Sequence, residues 1–197
     1  PSGEINNLIY LKQIKNLRFK NIIFSSGMAS LNEIKKTYKY LNSANTNVIV
    51  MHCTSEYPAK MQNLNLNFLK TLSKLYNNKI GYSDHSLSVF TPSLAIALGA
   101  KYIEKHITLN NSMRGPDHKA SFNIPNFKRM IDVIKETENI LGKNEKLLSK
   151  EELSNKKVVR KSVVSKNFIK KGVKIKFSDL DFKRPGLGIS PENYKKL

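Results

Sequence analysis

Short apolar, β-branched runs alternate along most of this chain with longer stretches in which apolar residues recur three or four positions apart. The runs 21–26, 47–54, 79–84 and 101–108 read as buried strands bounded by polar turn residues. Between them, Leu64, Phe68, Leu69, Leu72 and Leu75 carry the spacing of one helix face, and a further helix is expected to begin near Ser30. A later helix is predicted from about Pro125, a residue suited to a first helical position. It runs through Phe127, Met130, Ile134 and Ile140 to a stop near Gly142. The repeated unit is strand then helix, which predicts an α/β fold with a parallel sheet.

The pattern changes after Gly142. Residues 143–161 are polar and densely charged and read as a linker, with a domain boundary expected near 155. From Ser162 the chain reads as short strands, 162–164, 169–173 and 179–182, ahead of Arg184-Pro185-Gly186. The expected organisation is therefore a partial barrel over 1–142, a linker over 143–161 and a small domain over 162–197. Such a tail is too short to bury an adequate core by itself. Successive βα units of this kind make half of a closed (β/α)8 barrel, whose open edges need a partner. The sequence thus reads as a piece of a longer protein, and Pro1-Ser2-Gly3-Glu4 resembles the end of a strand and its loop.

Composition narrows the picture less than its size suggests. The chain has 34 Lys+Arg against 15 Asp+Glu and a formal charge of +19, a balance that favours anionic partners. The lysines are nevertheless spread from end to end, and no RNA- or DNA-binding signature accompanies them, so nucleic acid is not an expected partner. The single cysteine, Cys53, rules out an internal disulfide and suits a reducing cytoplasm. No leader pattern opens the sequence, and no apolar run approaches the roughly 20 residues of a membrane-spanning helix. The expectation is a cytoplasmic protein.

Candidate chemistry gathers at the strand ends. Gly81-Tyr82-Ser83-Asp84-His85 closes one predicted strand and Glu104-Lys105-His106 the next. Side chains two apart share a face, so Ser83 with His85, and Glu104 with His106, should point inward together at the C-terminal rim where barrel active sites lie. Two imidazoles and nearby carboxylates could hold Mn²⁺, Mg²⁺ or a similar ion; each could equally be an ordinary hydrogen-bonded strand-end histidine. Asp117, in Met113-Arg114-Gly115-Pro116-Asp117-His118, could approach a metal-bound water or a substrate hydroxyl, or simply serve the turn. Ser25-Ser26-Gly27-Met28 joins a strand to a helix and could hold a phosphate at the helix N-terminus, or be ordinary loop chemistry. In His52-Cys53-Thr54-Ser55-Glu56-Tyr57-Pro58, the alternation is expected to turn Cys53 toward the surrounding helices as a small apolar residue with no basic partner.

Taken in order and spacing, these motifs resemble the N-acetylneuraminate synthase family, with its relatives that make legionaminic and pseudaminic acids. The likeness runs from Pro-Ser-Gly-Glu through Ser-Ser-Gly-Met, His-Cys-Thr-Ser-Glu-Tyr-Pro, Gly-Tyr-Ser-Asp-His, Glu-Lys-His and Arg-Gly-Pro-Asp-His to Phe-Lys-Arg-Pro-Gly-Leu-Gly. The resemblance implies a transferase that condenses phosphoenolpyruvate with an open-chain N-acetylhexosamine, releasing phosphate by C–O cleavage with Mn²⁺, or Mg²⁺ or Co²⁺, as cofactor. It implies metal binding by His85 and His106, phosphoenolpyruvate binding by Ser2, Ser25 and Ser83, and acceptor-sugar contacts from Tyr57 and Asp117. Asp117 and Glu104 fall where acid–base or water-orienting roles are expected, though Glu104 could instead anchor a ligand from behind. Ser55 stands near a position where relatives often carry Asn. The tail resembles an SAF, or antifreeze-like, domain, expected to be truncated at its end. Its Arg184 matches an arginine that reaches the partner's site, which implies a domain-swapped homodimer.

The favoured expectation is a sialic acid synthase acting on N-acetylmannosamine. The alternative is an N,N'-diacetyllegionaminate synthase acting on 2,4-diacetamido-2,4,6-trideoxymannose, and the non-enzyme alternative is a basic carbohydrate- or polyanion-binding module. Because the residues expected from the first half of the barrel lie outside the sequence, this piece is expected to be inactive alone.

Overall fold

The computed structural model describes residues 2–196 and divides into two compact units, Pro1–Gly142 and Lys143–Leu197. In the first unit the strands β1 (Asn21–Ser25), β2 (Asn47–Cys53), β3 (Ile80–Asp84) and β4 (Tyr102–Lys105) form one sheet in the order β1-β2-β3-β4. All three pairings are parallel. Each crossover carries a helix: α2 (Leu31–Leu41), α3 (Phe68–Tyr76) and α4 (Thr91–Ala97), with α1 (Leu8–Asn16) ahead of β1 and α5 (Ile124–Leu141) after β4. Consecutive parallel strands joined by helices are the repeating unit of a (β/α)8 barrel.

Side-chain alternation divides this sheet into two chemically different faces. One face packs Ile22, Phe24, Val48, Val50, Ile80 and Tyr82 against Ile34, Leu41, Leu69 and Leu72 of the helices. A second cluster, Val89, Phe122 and Met130, seats α5. Ile49, Met51, Cys53 and Ser83 are buried on the opposite face, toward the strand ends that carry the chemistry. Gly81 is required there: a Cβ at this position would strike Met51 Sδ and come within 2.7 Å of the Tyr102 carbonyl oxygen, so only glycine lets the three strands close up.

Local signals explain where the elements begin and end. Ser30 caps α2 in a reciprocal box with Glu33, satisfying first-turn N–H groups that lack an intrahelical partner. Asn123 accepts from Asn126 N at the start of α5, and Gly142 ends that helix at a φ of 57°. Two expectations need adjustment in this unit. The helix predicted from Leu64 begins only at Phe68, because Asn65 turns the chain at a φ of 45°. The strand expected over 101–108 leaves the ladder after Lys105. Beyond that point its backbone is held by the loop that returns past it, since Phe122 N donates to the His106 carbonyl at 2.9 Å and Thr108 N to the Phe122 carbonyl at 2.8 Å.

The second unit contains α6 (Lys150–Val159) and an antiparallel pair, β5 (Ser162–Ser165) with β6 (Leu180–Lys183). The stretch 143–161, expected to be a linker, thus holds a helix, started by a Ser149–Glu152 capping box that its charge concealed. No strand forms over 169–173, where Val173 N donates to the Lys170 carbonyl and Gly172 turns at a φ of 86°. The core here is small: Leu180 and Ser162 are buried, and Phe177 packs on Phe182 and Tyr194. Among the described residues no helix is long and apolar enough to cross a membrane.

Candidate active site

Parallel pairing puts residues opposite one another in the ladder on the same face, so the register itself assembles the site. Cys53 pairs with Ser83, and Ser83 with Glu104, across β2, β3 and β4. Ser83 Oγ donates to Glu104 Oε1 at 2.6 Å, a short hydrogen bond. Immediately beyond, the rings of His85 and His106 meet edge to face with centroids 5.2 Å apart. Tyr57 lies against both, 4.2 Å from the His85 centroid and 5.7 Å from that of His106.

His85 is buried and oriented from behind. Its Nδ1 lies 2.8 Å from the Thr54 carbonyl oxygen; a carbonyl only accepts, so Nδ1 carries the proton and the neutral ring offers the lone pair of Nε2. Cys53 Sγ is 3.8 Å from the same nitrogen. Burial pushes the His85 imidazolium down, but the hydrogen bonds with Cys53 and the Thr54 carbonyl outweigh it, and its pKa lies above the ordinary value. Burial likewise pushes the Cys53 thiol up, yet His85, Ser25 and Ser83 together outweigh it and the thiol lies below its usual range. Tyr57 moves the other way: partial burial, then the negative charge of Cys53, Asp117 and Glu104, hold its phenol above the usual value.

These contacts correct one expectation. Cys53 faces the interior beside His85, and His52 is the residue that turns toward the helices. There His52 Nε2 meets the Leu64 carbonyl at 2.7 Å, with the ring against Phe68 and Tyr82. The pairing of Cys53 with Ser83 was the signal that could have assigned both faces.

Asp117 directly precedes the short 3-10 helix His118–Ala120, its side chain making no cap hydrogen bond, and brings Oδ2 to 3.9 Å from His106 Nδ1, an approach longer than a hydrogen bond. A second group of hydroxyls lies by the β1 turn. Ser2 Oγ and Ser55 Oγ are 3.4 Å apart above Gly27, whose hypothetical Cβ would strike Ser55 and come within 3.0 Å of Ser2 Oγ. Ser25 Oγ is buried and, apart from its approach to the Cys53 sulfur, has no hydrogen-bond partner among the described residues. Such an oxygen is costly unless something completes it. Pro1 lies outside the described residues. Arg184 belongs to the second unit, in an exposed turn after β6 fixed by Ser162 Oγ, which donates to the Pro185 carbonyl and accepts from Gly188 N at 2.8 Å.

As donors for a divalent cation, the two imidazoles are the right chemistry, and the carbonyl behind His85 is the support a ligating histidine needs. Among the described residues no group of three or more His, Cys, Asp or Glu converges as a complete ligand set. What the described residues bring together at this point is two imidazoles.

The NeuB family model matches residues 1–146. The chain is 42% identical over its whole length to an N,N'-diacetyllegionaminic acid synthase of Campylobacter jejuni and 38% identical to one of Legionella pneumophila. It spans 60% and 56% of those proteins. The crystal structure of an N-acetylneuraminic acid (sialic acid) synthetase from Leptospira borgpetersenii in complex with citrate superposes with a TM-score of 0.72 at 30% identity. The match covers 78% of this chain and 54% of that one.

Proposed function

This chain belongs to the NeuB family, and from that premise we propose that the protein carrying it is a nonulosonic acid synthase. It would join phosphoenolpyruvate to the aldehyde of an open-chain acetamido sugar and release phosphate. The observation that carries the reading is the convergence of His85, His106 and Tyr57 at the strand ends, beside the Ser83–Glu104 pair.

In this reading His85 and His106 hold Mn²⁺ or a similar divalent cation. Such an ion, when bound, polarises the aldehyde and stabilises negative charge on its oxygen. Thr54 fixes the His85 tautomer that leaves Nε2 available. Ser2, Ser25 and Ser83 bind the phosphate and carboxylate of phosphoenolpyruvate, Ser25 supplying a hydroxyl that protein groups leave incomplete. Ser55 joins them through its contact with Ser2. Asp117 orients an attacking water or a sugar hydroxyl, and Tyr57 packs on the acceptor. Glu104, engaged by Ser83, positions that serine and keeps negative charge near the reacting carbon.

For the acceptor, the relatives now favour 2,4-diacetamido-2,4,6-trideoxymannose over N-acetylmannosamine, because both of the similar proteins named above are N,N'-diacetyllegionaminic acid synthases. The sialic acid reading stands second, supported by the solved synthetase. The second unit is proposed as an SAF-type domain whose Arg184 reaches the site of a partner subunit in a homodimer. Offering the intact protein both sugars in competition and identifying the product by mass decides the acceptor: the nine-carbon diacetamido acid is expected, and N-acetylneuraminate alone would reverse the order.

A further inference from the structure

We propose that the buried Asp84–Lys105 ion pair is a positioning device that sets His85 and His106 at their mutual spacing, an inference that rests on the synthase reading above. Asp84 directly precedes His85, Lys105 directly precedes His106, and the two are partners in the last rung of the β3–β4 ladder. Alternation turns them to the helix side while the histidines face the interior.

The pair is almost wholly removed from solvent, with side chains 0% and 1% exposed and Lys105 Nζ 2.8 Å from Asp84 Oδ2. Asp84 also accepts from Tyr82 Oη at 3.0 Å, Ser86 N at 2.9 Å and Thr91 Oγ1 at 2.9 Å. Lys105 donates in addition to the Ser86 carbonyl and lies 3.9 Å over the Phe122 ring. These partners are not scattered. Tyr82 and Ser86 bracket His85 in sequence, and Phe122 N holds the His106 carbonyl. Ser86 N and the Ser86 carbonyl are backbone directly after His85, while the Phe122 ring ties Lys105 to the residue whose N–H holds the His106 carbonyl; Tyr82 and Thr91 add side-chain hydroxyls.

A buried ion pair is a poor way to gain stability, because apolar residues of the same volume often serve as well or better. What it supplies is direction: charge-assisted hydrogen bonds are short and geometrically specific, and here they hold the turn after β3 against the end of β4. Metal ligands need that restriction, and partners behind the ligands commonly change affinity 10- to 100-fold, roughly, when removed.

The test uses the intact protein and the double variant Asp84→Asn/Lys105→Met, which removes both charges without stranding either. Mn²⁺ binding is followed by electron paramagnetic resonance, and the His85–His106 ring contact by NOE in protein carrying ring-labelled histidine. We expect the double variant to remain folded, to lose the inter-ring NOE and to bind Mn²⁺ about 10- to 100-fold more weakly. Thr91→Val, which takes one donor from the same carboxylate and leaves the charges paired, shifts both readouts in the same direction by a few-fold and serves if the double variant does not fold. An unchanged NOE in a folded variant overturns the proposal. If the unaltered protein binds no Mn²⁺, the metal reading fails, and the NOE comparison still decides whether the pair positions the rings.

Discussion

His85 and His106 come from neighbouring strands and meet with their ring centroids 5.2 Å apart, with Tyr57 against both. Two imidazoles held edge to face at the rim of a parallel sheet, one with its tautomer fixed by the Thr54 carbonyl, can share a ligand between them. His85→Ala and His106→Ala, each in the intact protein, are expected to lower the rate of phosphate release by roughly 10²-fold or more. Unfolding temperature should change little, since neither ring builds the apolar core. Retained activity in either variant would remove that histidine from the site.

His52 supplies the control, being the other histidine of the β2–β3 region but facing the helices. Burial pushes its imidazole below the ordinary value of 6.5, and the Leu64 carbonyl only partly offsets this. The unfolded chain then takes up the proton more readily than the folded one. The corresponding stability is present above pH ~6.5 and is lost as the pH falls below it. Urea midpoints should drop between about pH 7 and pH 5, and drop less in His52→Gln, whose amide can still donate to Leu64. Equal losses in both proteins would show that other groups govern the acid limb.

Gly81→Ala places a methyl group against Met51 Sδ and 2.7 Å from the Tyr102 carbonyl oxygen. Overpacking of this kind costs about 1–3 kcal/mol, and because β3 carries Ser83 and His85, catalytic efficiency should fall with stability. A variant with an unchanged denaturation midpoint would mean that the strands can move apart freely.

Ser30→Ala removes the side-chain half of the α2 capping box while leaving the site residues untouched. The expected cost is about 1 kcal/mol, read as a lower urea midpoint at constant m-value. A midpoint equal to that of the unaltered protein would show that Glu33 sustains the cap alone.

Arg184 is predicted to act across subunits. Mixing full-length His85→Ala with full-length Arg184→Ala, each inactive by itself, should restore part of the activity once chains exchange, since one site in each mixed dimer then has both residues. No recovery after demonstrated exchange would place Arg184 in its own chain's site or outside catalysis.

The parallel architecture was legible because strand and helix periods alternate cleanly, and four strand positions agree with the sheet to within a few residues at their ends. The two histidines lie at adjacent strand ends as their spacing predicts, whereas nothing local to Tyr57 places its ring against both. Less accessible was anything set by pairing between strands. Cys53 shows why: alternation gives relative phase along one strand, and only the register with Ser83 fixes which phase faces inward. The Asp84–Lys105 pair was hidden for the same reason, as nothing local distinguishes a buried lysine from the many exposed ones. In the second unit, Ser149 and Glu152 spelled a helix start that a dense run of charge obscured.

The most direct test of the synthase reading is phosphate release by the intact protein given phosphoenolpyruvate, Mn²⁺ and 2,4-diacetamido-2,4,6-trideoxymannose, run beside samples lacking the sugar and beside His85→Ala. The account predicts release that requires the sugar and disappears with His85. Absence of release with this sugar and with N-acetylmannosamine, or release indifferent to His85, would contradict it.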